Sequence, residues 1–203
     1  MDYWTIGALF HGIDMYRTLP HICLTFILSL PLCAWSQLKG ENLLQNLPPA
    51  YKVGFQSKKE NLLMMEMIPE DEIIEQWSEM LTTQIFLGMR KVTPEGFQSF
   101  MQQQWQAACK GSQAAAVTKG VENGYPFAVW FLSCPLNRAT GKPEFTWFKA
   151  IKGNDRFYLV QKAFKFEPSK EQIARWMQYL RHVSVCDTRL EKHPCPTRNP
   201  SGK

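Results

Sequence analysis

The sequence predicts an α+β domain, an antiparallel β-sheet meander packed with a mid-chain helix and a C-terminal helix. Three observations carry this. Alternating or wholly apolar runs rich in β-branched and aromatic residues recur between residues 51 and 166, separated by short turns. Two segments, 93–108 and 169–183, instead place apolar residues at helical spacing behind clear start signals. Five tryptophans (Trp77, Trp105, Trp130, Trp147 and Trp176) fall in the same stretch and suit one compact core.

Residues 1–36 read as an N-terminal extension and a cleaved signal peptide. From Met15 the chain runs "MYRTLPHICLTFILSLPLCAWSQ". Arg17 gives a positive start, Ile22 to Leu32 form an apolar core, and Ala34 and Ser36 are small residues before a cut at Gln37. The apolar core is too short for a bilayer, which takes about 20 residues. Asp2 and Asp14 are unusual ahead of an export signal, so Met15 is the expected start. The expected destination is the periplasm or the extracellular space, with no stable membrane span after cleavage.

Residues 37–50 are a polar lead-in ending in two prolines, with a short helix expected over Asn42–Leu47. The single α+β domain is expected over 51–185. It opens with strands at Tyr51–Gln56 and Asn61–Ile68, joined by a charged turn. "SEMLTTQIFL" then alternates, with Met80, Thr82, Gln84 and Phe86 on one face and Leu81, Thr83, Ile85 and Leu87 on the other. Thr93 and Pro94 start a helix whose apolar face is Phe97, Phe100, Met101, Trp105 and Ala108, with Gln98, Gln102, Gln103 and Gln106 toward water. A strand is expected over Ala114–Thr118, then a turn at "NGYP" and a central strand "PFAVWFLSC". "KPEFTWFKAIK" and "DRFYLVQKAFKF" form a hairpin through Gly153-Asn154, read as a primed two-residue turn. In its second strand Tyr158, Val160, Phe164 and Phe166 share a face that Lys162 interrupts. Ser169 and Gln172 make a capping box for the last helix, with Ile173, Trp176, Met177, Leu180 and Val183 as its buried stripe. Residues 186–203 are expected to be a disulfide-tethered, partly disordered tail.

Cys23 and Cys33 leave with the signal peptide, and Cys109, Cys134, Cys186 and Cys195 remain. An even number in an exported chain reads as two disulfides, with three connectivities open. The favoured pairing is Cys109–Cys134 with Cys186–Cys195, the latter closing a short loop around "DTRLEKHP".

The formal net charge is +5, from 23 Lys and Arg against 18 Asp and Glu, with the basic residues scattered. No nucleic-acid stripe is seen. The tail offers His182, Cys186, His193 and Cys195, but their spacing fits no familiar zinc pattern and oxidation removes the thiolates. The same pairing leaves no thiol nucleophile, and no G-x-S-x-G, phosphate loop or dinucleotide motif is present. The acids of "PEDEIIE" crowd one short stretch and lack a calcium-loop pattern. No catalytic residue, metal ligand or cofactor is therefore assigned. The candidate binding surface is the loop "CPLNRATGKPEF", where Asn137, Arg138, Thr140 and Lys142 cluster beside Gly141 and could hold an anion. The same residue types are also ordinary in a polar hairpin turn.

The order of elements resembles the PsbP/Mog1-like fold, an α/β/α sandwich around an antiparallel sheet. The resemblance covers most of residues 50–185 and rests on the N-terminal hairpin, "WSEMLTTQIF" as a strand, a helix, a strand meander and the final helix. "WSEMLTTQIF" and "VCDTR" are also similar to segments of uncharacterised exported bacterial proteins. The fold resemblance implies accessory or protein-binding roles without catalysis, and no site residue carries over. The expected function is that of an exported non-catalytic binding or accessory protein of the bacterial envelope or extracellular space, its partner another envelope or host protein. A small exported hydrolase with no visible motif, or a secreted virulence factor, is the alternative.

Overall fold

A computed structural model describes residues 38–115 and 118–196. The expected leader, its cut before Gln37 and the end of the tail lie outside these residues.

The chain forms ten strands and two α-helices in the described residues. In order these are β1 (Glu41–Leu44), β2 (Tyr51–Lys59), β3 (Leu62–Pro69), β4 (Glu79–Leu87), α1 (Pro94–Ala108), β5 (Gln113–Ala114), β6 (Thr118–Glu122), β7 (Tyr125–Asn137), β8 (Lys142–Lys152), β9 (Arg156–Phe164), α2 (Lys170–His182) and β10 (Ser184–Asp187). An eight-stranded sheet runs β2-β3-β4-β9-β8-β7-β5, with β6 also pairing β7, and every paired strand is antiparallel. This is the α+β architecture expected from the pattern.

Strand alternation sorts the core into two layers. Along β9, Phe157 and Leu159 pack with Phe97 of α1, Ala128, Trp130 and Phe148. Tyr158, Val160 and Phe164, on the other face, pack with Trp176 and Leu180 of α2. Successive strand residues point to opposite faces, so the helices cover opposite sides of the sheet. The face division expected for β4 holds, since Leu81 and Ile85 belong to the α2 layer and Phe86 to the α1 layer.

Both helix starts follow the sequence signals. Thr93 accepts from the Gly96 amide at 3.1 Å, and Ser169 and Gln172 form the reciprocal capping box. The α1 stripe is narrower than expected. Phe97 is buried, but Phe100 is 52% exposed, while Gln98, assigned to the water face, is buried and bonds Gln102. The helix leans on β7 and β8 through one side only, which leaves Phe100 outside the contact.

Three local expectations are corrected. Asn42–Leu47 is not helical: Glu41–Leu44 is strand β1, paired with β10 in the register Glu41↔Asp187. The segment before the first hairpin is thus zipped to the segment after the last helix. The Ala114–Thr118 strand is instead two pieces, β5 and β6, pairing successive parts of the long β7. The Gly153-Asn154 turn is not of the primed kind, because neither residue has the positive φ it requires. The Asn123-Gly124 turn between β6 and β7 has that geometry, with φ of 46° and 80°. Gly153 is needed for space: a Cβ there would lie 2.2 Å from Oε1 of Glu41.

The disulfides are Cys109–Cys134, joining the end of α1 to β7, and Cys186–Cys195, closing the loop after β10.

Candidate functional site

Asn137, Arg138, Thr140 and Lys142 all lie in the turn joining β7 to β8. The turn uses two of these side chains for itself. Asn137 Oδ1 accepts from the Ala139 amide at 2.9 Å, and its Nδ2 donates to Glu144 at 2.6 Å. The Asn137 carbonyl accepts from the amides of Thr140 and Gly141, and Gly141 takes a φ of 66° to close the turn. The Lys142 amide donates to the Thr140 hydroxyl at 3.4 Å. Arg138 and Lys142 are exposed. The four residues are neighbours in one turn.

A buried group with strongly altered chemistry is Lys162, the residue that breaks the apolar face of β9. Its side chain is fully buried. Nζ donates to the Tyr51 hydroxyl at 2.6 Å and to Glu79 Oε2 at 2.8 Å, and the Tyr51 hydroxyl donates to the same oxygen at 2.8 Å. Aromatic faces of Trp176, Phe164 and Tyr51 surround the ammonium at 4.0, 4.6 and 4.8 Å. Burial pushes the Lys162 ammonium down to about 8, against the pull of Glu79. Burial raises the Tyr51 hydroxyl, and the Glu79 carboxylate raises it further. Burial acts to raise Glu79 too, but Lys162 and Tyr51 outweigh it and hold the carboxyl below its usual range. A lysine near pKa 8 is a competent nucleophile or base. This one has no exposed surface through which a substrate could reach it.

Lys149, on β8 and facing the same side, is also buried. Nζ donates to the carbonyls of Leu180 and Val183 at 3.0 and 2.7 Å and to Glu122 at 2.5 Å. It bonds carbonyls at the end of α2, that of Leu180 shared with the Val183 amide, and places a cation at the negative end of the helix dipole. Burial lowers its pKa, with Glu122 opposing.

The tail residues of the candidate metal and thiol patterns are occupied elsewhere. Both cysteines are in the Cys186–Cys195 bridge. His182 Nδ1 meets the Gln178 carbonyl at 2.8 Å and His193 Nδ1 the Asn123 carbonyl at 2.6 Å. The His193 ring lies tilted at 4.5 Å from that of Tyr125 and presses on Gly124, where a Cβ would fall 2.0 Å from Cε1.

A polar knot lies beneath this tail and was not visible in the sequence. The buried Glu41 carboxylate accepts from the amides of Asn154, Asp155 and Arg156 and from the Tyr158 hydroxyl. Beside it Arg189 donates from Nε to Asp187 at 2.9 Å and from Nη2 to Asp187 and Asp155 at 2.5 and 2.6 Å. The Arg189 guanidinium holds the Asp187 carboxyl below its usual range, and the two aspartates raise Arg189.

The accessible apolar relief lies elsewhere. A groove of about 400 Å³ runs along β2, β3 and β4, lined by Gln56, Lys58, Leu63, Met65, Thr83 and Ile85 among others. The registers Leu63↔Ile85, Met65↔Thr83 and Gln56↔Met65 put these side chains on the α2 side of the sheet. A second groove, about 470 Å³, lies at the start of α1 between Met89, Val92, Phe97 and Phe100. The alternation in "NLLMMEMIP" and "SEMLTTQIFL" was the signal for the first. What stayed hidden was that β2 would be an edge strand and leave its neighbours half-covered.

No helix among the described residues is long and apolar enough to cross a membrane. No protein-family model matches the chain, and no curated protein matches it significantly. Among solved structures the chain is similar to the Saccharomyces cerevisiae Ran-binding protein Mog1p, at TM-score 0.41 and 9% identity, over 70% of this chain and 85% of that one. At that identity the likeness concerns the course of the chain alone.

Proposed function

We propose that this is an exported, non-catalytic binding protein of the bacterial envelope or extracellular space, which takes an extended segment of a partner protein along β2. The observation that carries the binding role is the conjunction of the Leu63–Met65–Ile85 groove with a sheet edge. Among the described residues β2 pairs only with β3, so its outer backbone groups are open to a further strand. Gln56 and Lys58 belong both to that edge and to the groove wall. A segment added to β2 would therefore set an apolar side chain in the groove, with Lys58 and Lys59 favouring an acidic flank. Two disulfides in one domain, and the export pattern before Gln37, support the destination. The enclosure of Lys162, a residue tuned for chemistry, supports binding over hydrolysis.

The test is selection of extended ten-residue peptides, some with acidic flanks, on the oxidised protein. Bound peptides are expected to slow amide exchange within residues 51–59. Met65→Glu is expected to abolish binding while the protein stays folded, and Arg138→Glu to leave it intact. Selected peptides that ignore Met65→Glu, or that protect only residues 135–142, would overturn the reading.

A further inference from the structure

We propose that Asn123-Gly124 is a deamidation site guarded by the Cys186–Cys195 bridge, and that its conversion to aspartate or isoaspartate releases the tail loop irreversibly.

Asn123 and Gly124 form the tip of the β6–β7 hairpin, both exposed and both at positive φ. They are the only Asn-Gly pair in the sequence. Glycine after asparagine favours loss of the amide, because no Cβ shields the glycine nitrogen from the side chain. That nitrogen attacks Asn123 Cγ, the Cγ–Nδ2 bond breaks, and Nδ2 leaves as ammonia with the Gly124 amide proton. Water then opens the five-membered imide. Opening at Cγ gives aspartate, and opening at the main-chain carbonyl gives isoaspartate, with the backbone rerouted through the side chain. Water is consumed and ammonia released, and no other reactant is needed.

The folded tail holds this amide in place. Asn123 Nδ2 donates to the Val185 carbonyl at 2.9 Å and to the Pro194 carbonyl at 3.3 Å. Val185 and Pro194 immediately precede the two half-cystines, so the carboxamide spans the same two segments that the bridge ties together. His193 Nδ1 meets the Asn123 carbonyl at 2.6 Å, and its ring lies against Gly124. Closing the imide requires Cγ to turn onto the Gly124 nitrogen, and an Nδ2 bonded to two carbonyls resists that turn.

The guard depends on the bridge. Thr188 and Arg189 hold the first half of the loop without it, through Gly40, Asp155 and Asp187. The second half is mostly exposed. Beyond its own turn it is held by the bridge, the Asp187 amide on the His193 carbonyl at 2.7 Å, the Tyr125 ring and Asn123 itself. Opening the bridge frees His193 and Pro194 to leave the hairpin tip. The product cannot restore the guard. A carboxylate has no proton to give the Val185 and Pro194 carbonyls and sets its own oxygens against theirs, next to Glu122. Isoaspartate also lengthens the tight turn that sets the β6–β7 register. The change therefore records time spent with the bridge open, and reoxidation does not reverse it.

The experiment incubates oxidised wild type and the double variant Cys186→Ser with Cys195→Ser at mildly alkaline pH, and follows deamidation by peptide mass. Wild type is expected to keep Asn123. The double variant is expected to convert it at least about tenfold faster, to a mixture of aspartate and isoaspartate, because the site's hydrogen bonds open locally. Asn137 and Asn154, in other turns, should keep their wild-type rates, which separates local release from unfolding. In a second measurement, Asn123→Asp with the bridge intact is expected to quicken amide exchange within residues 188–193 and to speed thiol reduction of Cys186–Cys195 by about threefold or more. Equal rates at Asn123 with and without the bridge would overturn the guard. An Asn123→Asp protein whose loop exchanges and is reduced as in wild type would overturn the release.

Discussion

Lys162 Nζ lies 2.6 Å from the Tyr51 hydroxyl, with the sheet's β4 carboxylate Glu79 bonded to both. This contact ties the edge hairpin to the strand at the centre of the sheet. Removing the cation leaves a half-buried carboxylate with only Tyr51 and Gln172 as donors. Lys162→Met is therefore expected to destabilise the protein by about 3 kcal/mol, as for one partner lost from a buried pair. Lys162→Met with Glu79→Gln should recover a large part of that, because no charge is then left unpaired. Denaturant unfolding of wild type, both single variants and the double variant checks this. An additive double variant would contradict the coupling.

The same lysine sets a pH dependence. Its folded pKa is about 8, below the ordinary lysine value. As pH rises from about 8 toward 10, the folded protein releases this proton while the unfolded chain keeps it. The unfolded state then binds more protons, so the Lys162 contribution to stability rises with pH in that window. Tyr51 acts in reverse above about 10, where its raised folded pKa keeps a proton that the unfolded chain loses. Unfolding free energy measured from pH 7 to 10 should climb relative to Lys162→Met. Parallel curves for the two proteins would contradict the shift.

Lys149→Met is expected to loosen the end of α2. The Leu180 carbonyl keeps only the Val183 amide, the Val183 carbonyl loses the ammonium and Glu122 loses its partner. Buried charged hydrogen bonds contribute about 1.5–3 kcal/mol each, so a loss of about 2–4 kcal/mol is expected. Amide exchange should quicken at the C-terminal end of α2 and at β10 more than at its Ser169 end, where the capping box is untouched.

Glu41→Ala should release the lead-in from the core. The amides of Asn154, Asp155 and Arg156 then lack their acceptor, and β1 loses the side chain that anchors it. Amides in 41–44 and 184–187 should exchange faster, while β3, β4 and β9 keep their protection. Uniform loss across the sheet would show that β1 is integral to global folding.

The fold was legible wherever local signals agreed with their tertiary use. The helix starts at Thr93 and Ser169 are chemistry within one turn of chain, and the alternation of β4 needs only the pleat. The corrections arose where distant residues decided. Glu41 makes a strand of the lead-in because Asp187 lies opposite it, and Gly153 is small because Glu41 approaches, neither of which a window around those residues contains. Lys162 was visible as a break in an apolar face, but its meaning needed Tyr51 and Glu79, 111 and 83 residues away. The loop Asn137–Lys142 drew attention through its residue types, and the structure gives much of that polarity to the turn itself. The cysteine pairing, favoured among three alternatives, is the one observed.

The most direct test of the exported, disulfide-bonded reading is intact mass of the full chain secreted by a bacterial host, with thiol alkylation before and after reduction. The account predicts a product starting at Gln37, no alkylation before reduction and four alkylated cysteines after it. A product that retains residues 1–36 with free thiols at Cys109, Cys134, Cys186 and Cys195 would contradict it.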